Sequence, residues 1–102
     1  MVKQKIRAIF SKTGCMKFIS HLDLVRLFHR SARRARLPIE ITKGFSPRLK
    51  INIIRALKLG VERMGEEAIF YMERPVTPQG LAGSINKQLP EGVRVEKCEE
   101  IL

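Results

Sequence analysis

Tryptophan is missing from this 102-residue chain, tyrosine occurs once, and cysteine occurs only as Cys15 and Cys98. Two cysteines are too few for a disulfide framework or a four-cysteine zinc site, so a reducing, cytoplasmic setting is the natural expectation. No apolar run approaches the roughly 18 residues of a membrane span. The basic N-terminus has no apolar core of the kind a secretory signal needs, and no membrane partner is expected. Repeats, low-complexity tracts and linkers are lacking as well. Acids are scarce: 10 Asp and Glu stand against 20 Lys and Arg, for a formal charge of +10. A chain with that balance attracts polyanions. With 44% hydrophobic and 29% charged residues it is also foldable, which predicts one domain over residues 1–102 rather than disorder.

The charge is unevenly distributed. Residues 1–58 hold 15 of the 20 basic residues and two acids, Asp23 and Glu40, for a net of +13. Residues 59–102 hold five basic residues and eight glutamates, for a net of −3. Solubility does not require such asymmetry; a surface for an anionic partner does.

Hydrophobic periodicity organises the chain. Ile6, Ala8 and Phe10 alternate with Lys5, Arg7 and Ser11, which predicts a half-buried strand over residues 5–11. After the Thr13-Gly14 turn signal, Met16, Phe18 and Ile19 read as a short extended arm. Ser20 is placed to cap a helix, with Asp23 able to reach back to it and to meet the positive helix end. That helix runs to about residue 36, with Leu24, Val25, Phe28, Ala32 and Ala35 on one side, and Leu37-Pro38 stops it. Ile39 and Ile41 alternate with Glu40 and Thr42, predicting a second strand. A further extended piece follows over residues 49–53. Gly60 and Gly65 mark breaks, and residues 67–73 read as a strand. Thr77-Pro78 starts a second helix, with Leu81, Ala82, Ile85 and Leu89 inward. Gly80 and Gly83 weaken that helix, which leaves it dependent on tertiary packing. Pro90 ends it, and Val93 and Val95 begin the last strand. The order βαββαβ predicts an α+β, ferredoxin-like domain: an antiparallel sheet with two helices on one face.

Candidate functional residues cluster in the basic half. At ~100° per residue, Arg26, Arg30 and Arg33 fall within about 60° of one another, with Arg34 adjacent and the apolar stripe opposite. Like charges at these spacings cost roughly 0.2–0.5 kcal/mol per close pair. Guanidinium forks bind phosphate oxygens bidentately, so contact with phosphates gives such a ridge a use. An ordinary solvated basic face is the competing account, and the helix alone does not decide between them. The loop Lys43-Gly44-Phe45-Ser46-Pro47-Arg48, with Lys50 behind it, adds basic residues around one aromatic. Charges that track a backbone and a ring that stacks a base are the minimum for gripping a single strand. An aromatic in such a loop is more often a core anchor that pins the loop than a stacking platform, and that is the competing account of Phe45. Gly44 and Pro47 read as turn residues, and nothing matches a P-loop.

Ser20, His21 and Asp23 invite comparison with a catalytic triad. Capping accounts for Ser20 and Asp23, and neighbours in sequence rarely adopt triad geometry. His21 reads as structural and His29 as a solvated residue on the polar flank. Two histidines and two distant cysteines are too few for a metal site, so neither cofactor nor metal is expected. No catalytic residue is assigned.

Four stretches together resemble a known family: Phe10-Ser11-Lys12-Thr13-Gly14, Phe18-Ile19-Ser20-His21-Leu22-Asp23-Leu24, the arginine-rich helix, and Lys43-Gly44-Phe45-Ser46-Pro47-Arg48. They are similar to the radical S-adenosylmethionine-linked family of unknown function. The likeness is specific to about residue 63 and looser beyond. It implies an accessory domain encoded with, or fused to, radical S-adenosylmethionine and cobalamin-binding proteins and found near ribonuclease G. The three-cysteine cradle of an iron–sulfur cluster is absent, so the radical enzyme itself is not implied. Members are usually longer, which implies the N-terminal part of a larger protein or a short member. The shared motif falls on Ser20, His21, Asp23, Gly44, Phe45, Pro47 and Arg48, without established roles. The strand order also resembles, at the level of fold alone, CRISPR repeat-processing endoribonucleases.

The expectation is an accessory domain that binds RNA through Arg26, Arg30, Arg33, Arg34, Lys43, Phe45, Arg48 and Lys50 and presents it to an RNA-modifying or RNA-processing partner. Two alternatives stand beside it. One is a docking module for a radical S-adenosylmethionine enzyme, using an apolar patch at Ile53, Ile54 and Leu57. The other, ranked last, is a metal-independent ribonuclease with His21 as base.

Overall fold

The structure is a computed structural model that describes residues 4–54 and 66–101. Four strands and two helices follow the order β1 (Lys5–Lys12), α1 (His21–Arg34), β2 (Ile51–Ile53), β3 (Glu66–Tyr71), α2 (Pro78–Asn86) and β4 (Val93–Ile101). The sheet order is β2-β3-β1-β4 with every pair antiparallel, the ferredoxin-like arrangement. Alternation along β1 decides which face is covered. Ile6, Ala8 and Phe10 are fully buried, while Lys5 is exposed and Arg7 and Ile9 are half-buried. Ile53, Ala68, Phe70, Val93 and Val95 join the same buried face, so both helices pack there. Phe28 of α1 sits between Phe10 and Phe70, with ring centroids 4.8 and 6.2 Å away in tilted geometry. Such aromatic pairs add about 0.5–1.5 kcal/mol each beyond their buried area. Leu81 and Ile85 fill the other half of the core from α2. Helix α2 lies along β4, whereas α1 reaches toward β2.

Residues 14–18 are not an extended arm. Gly14–Phe18 form a 3-10 helix, closed by the Met16 amide donating to the Thr13 carbonyl and the Ile19 amide to that of Met16. The Thr13 amide donates to the Gly92 carbonyl at 2.8 Å, which ties this turn to the start of β4. A Cβ on Gly92 would lie 2.9 Å from the Thr13 oxygen and 2.8 Å from Met16 Cγ, and its φ is +98°. Only glycine fits that approach.

Helix α1 begins as its sequence predicts: Ser20 Oγ accepts from the Asp23 amide at 3.1 Å. It ends two residues earlier than expected, at Arg34. The Leu37 amide donates to Ala32 and that of Arg36 to Arg33, with Arg36 at φ 55°. This is a Schellman stop with arginine where glycine is usual, and it closes the helix before Pro38 can.

The second strand also differs from the expectation. Residues 39–42 form only single bridges, Ile39 to Met72 and Ile41 to Leu49, and Ile41 is 59% exposed. The strand is Ile51–Ile53 instead, since Ile53 reaches the core. Residues 39–50 therefore make a small flap on the edge of the sheet. The Lys50 amide donates to the Glu40 carbonyl, and the Thr42 amide to that of Arg48, both at 2.7 Å.

Two side-chain amides hold backbone that strands do not. Gln4 exchanges two hydrogen bonds with Val76, and Asn86, at the end of α2, exchanges two with Val95. Gly80 has a similar local cause: a Cβ there would lie 2.6 Å from Oγ1 of Thr77, the cap that accepts its amide.

Candidate nucleic-acid interface

The apolar stripe of α1 is used by the core, so the opposite side must face outward. Arg26, Arg30, Arg33 and Arg34 are all exposed there. The flap of residues 39–50 returns alongside them. Its neck is closed by the Thr42 amide donating to Arg48 and by the Arg48 amide donating to Thr42 Oγ1 at 3.1 Å. That closure places Arg48 beside the helix. An open depression of about 480 Å³ results, lined by Leu22, Val25, His29 and the five arginines 26, 30, 33, 34 and 48.

A second depression of about 390 Å³ adjoins it and shares Val25, His29 and Arg48. It continues past Lys50 and Asn52 to Tyr71. Lys50 Nζ lies 4.6 Å from the centre of the Tyr71 ring, and Lys5 Nζ lies 5.5 Å from it. Together the two depressions make one basic trough.

Three acids of the C-terminal half are engaged away from it. Glu99 pairs with Arg7, Glu66 lies 3.0 Å from Lys12 Nζ, and Glu96 accepts from Ser11 Oγ at 2.9 Å; all three are on or beside β1. Along the trough, Asp23 Oδ1 stands 3.7 Å from Arg26 Nη1. Among the described residues, Arg30, Arg33, Arg34 and Arg48 have no ion-pair partner. Four guanidinium groups are thus left for an outside anion.

Of the eight residues expected to meet RNA, Arg26, Arg30, Arg33, Arg34, Arg48 and Lys50 line the trough. Lys43 and Phe45 do not. They sit on the exposed tip of the flap with Gly44 and Pro47, and Phe45 stands fully in solvent rather than in the core. Gly44 has φ +150°, which lets the tip turn. Ser20 is the cap of α1. The Asp23 carboxylate turns to Arg26 instead of reaching back to Ser20. His21 lines neither depression.

His29 is the residue that the helical pattern missed. It is half-buried, not merely solvated, and it lies where the two depressions meet. Burial lowers its pKa below the ordinary histidine value, and the nearby charges of Arg33 and Arg48 lower it further. Both effects favour the neutral imidazole. Flanking helical residues gave little sign of this, because Arg48, which shares both depressions with it, comes from the flap, distant in sequence. Cys98 is half-buried in β4, and burial pushes its thiol up to about 11, so it stays protonated and unreactive. The apolar patch expected around Ile53 does not form as a unit. Ile53 is buried, Ile54 is exposed, and Leu57 lies outside the described residues. Among the described residues, no group of three or more His, Cys, Asp or Glu is placed to hold a metal ion, and no helix is long and apolar enough to cross a membrane.

Fold and surface together define a small ferredoxin-like α+β domain with one basic trough. Over residues 5–102 the chain matches the model of a family described as an uncharacterized protein conserved in bacteria (DUF2344), and it belongs to that family. A comparison with curated proteins found no match, and a comparison with solved structures found none.

Proposed function

We propose that this domain binds RNA in the basic trough and presents it to an RNA-modifying or RNA-processing partner. The observation that carries this reading is the convergence of Arg26, Arg30, Arg33 and Arg34 from α1 with Arg48 from the flap on one depression. Phosphate is the ligand that suits it, since each guanidinium offers a planar fork to two oxygens. Such contacts position a nucleic acid without reading its sequence, which fits a presenting role. The partner would be a radical S-adenosylmethionine protein or ribonuclease G, as the sequence resemblance implies, and the setting the cytoplasm, as the low cysteine count suggests.

Fluorescence anisotropy with a labelled RNA at 50–200 mM salt tests the reading. Each phosphate contact adds about 0.7–0.9 to the log–log salt slope, so engagement of the five arginines gives a slope of roughly −3.5 to −4.5. Binding that ignores salt would overturn it. A second reading, docking to the radical enzyme itself, draws on the exposure of Phe18 (83%) at the end of the 3-10 turn and Leu22 (57%) in the first turn of α1. It requires a salt-insensitive complex with that protein, lost in the Phe18→Ser, Leu22→Ser double variant.

A further inference from the structure

The two halves of the trough lie on different sides of the sheet. Val25 and His29 belong to α1, on the covered face. Tyr71 is paired with exposed Lys5 across β1 and β3, and Asn52 is paired with Ile69 across β2 and β3. These positions alternate with the buried Phe70 and Ala68, which puts Asn52 and Tyr71 on the opposite face. The second depression is lined from both groups. It therefore passes around the outer edge of β2, a strand of only three residues, with Arg48 and His29 at the corner.

A double helix cannot follow that path. Duplex DNA has a persistence length on the order of 150 base pairs, whereas the domain measures 41 × 32 × 24 Å. A single strand bends freely at every nucleotide. At the far end of the path it meets the components that grip unpaired nucleotides: one aromatic ring and two ammonium groups, of Lys5 and Lys50, beside it. Without RNA, the ring's electron-rich face holds the two ammoniums. In the RNA-bound state proposed below, phosphates take these ammoniums and leave the ring to a base.

On the strength of the RNA-binding reading, we propose that the trough takes one unpaired RNA strand, which turns around the β2 edge and stacks a base on Tyr71. The composition supplies an unusually direct test, because Tyr71 is the single tyrosine of a chain without tryptophan. Intrinsic emission of the full chain therefore reports on this ring alone. Titration with a 12-nucleotide oligouridylate should quench that emission with the same midpoint as anisotropy. The same sequence in a perfect duplex should bind at least about tenfold more weakly and leave the emission unchanged. Tyr71→Leu, which keeps an apolar side chain, should lose roughly tenfold in affinity for the single strand, and Tyr71→Phe should lose about twofold or less.

Equal affinity for duplex and single strand would overturn the proposal. So would single-strand binding that leaves Tyr71 emission and the Tyr71→Leu affinity untouched. In either of those cases salt-dependent binding to the arginine half would still stand. No binding of any RNA would overturn the proposal and the RNA-binding reading together.

Discussion

Arg7 and Lys12 on β1 belong to the same basic half of the chain as Arg30, Arg33 and Arg48 around the trough, yet the two groups are used in opposite ways. The Arg7 guanidinium donates to Glu99, which holds that carboxyl below its ordinary range, and Lys12 is paired with Glu66. Both acids come from the second half of the sequence, delivered by the antiparallel neighbours β4 and β3. Among the described residues, Arg30, Arg33, Arg34 and Arg48 receive no such partner. Net charge is thus a poor guide to a binding surface. What matters is which unpaired positive groups the topology gathers in one place, and here it gathers Arg30, Arg33, Arg34 and Arg48 around one depression.

The largest effect on this contrast comes from beneath it. Phe28→Ala removes the ring that joins α1 to Phe10 and Phe70 and should cost about 3–5 kcal/mol, read by urea denaturation, with RNA affinity lost because the trough has lost one wall. Next, Arg30→Gln, Arg33→Gln and Arg48→Gln combined should weaken RNA binding by at least roughly a hundredfold and flatten the salt slope by about two to three. The melting temperature should stay at or above that of the parent, since like charges have been removed. The matching substitutions Arg7→Gln and Lys12→Gln should do the reverse, lowering the melting temperature and leaving affinity within about twofold. If the β1 pair also weakens binding, the distinction between the two basic groups fails.

Smaller effects sharpen the contrast at single residues. His29 has a pKa below the ordinary value of about 6.5, so the unfolded chain takes up a proton more readily than the folded one. Its contribution to stability is full above about pH 6.5 and is lost as pH falls from there through the lowered folded value. Phosphate in the trough acts in the opposite sense, because it favours imidazolium between Arg33 and Arg48. RNA affinity should therefore rise between pH 8 and pH 5.5 while the free protein loses stability, and His29→Gln should flatten both profiles. The smallest effect is at the end of α1. Arg36→Gly relieves the left-handed conformation of the Schellman stop and should raise stability by about 0.5–1 kcal/mol with no change in RNA affinity, since Arg36 lines neither depression.

Much of this was legible in the sequence. The alternation of Ile6, Ala8 and Phe10, the Ser20 and Thr77 caps and the spacing of Arg26, Arg30 and Arg33 are local signals, and each one places its element or face correctly. The choice between residues 39–42 and 49–53 as second strand was not legible. Both are apolar at period two, and only the reach of Ile53 into the core, against the exposure of Ile41, separates them. The burial of His29 was hidden for a related reason: a helical wheel shows what lies on a helix, not what another segment lays over it. The Gly14–Phe18 turn was missed because its anchor, Gly92, is far away in sequence.

The clasp between Thr42 and Arg48 closes below the five residues at the flap's tip. Arg48 therefore keeps its place whatever the tip contains. Lengthening or rewriting residues 43–47 costs little beyond chain entropy, which grows only slowly with loop length. The placement of the arginine therefore rests on Thr42 and not on Gly44, Phe45 or Pro47, although those tip residues carry part of the resemblance noted in the sequence.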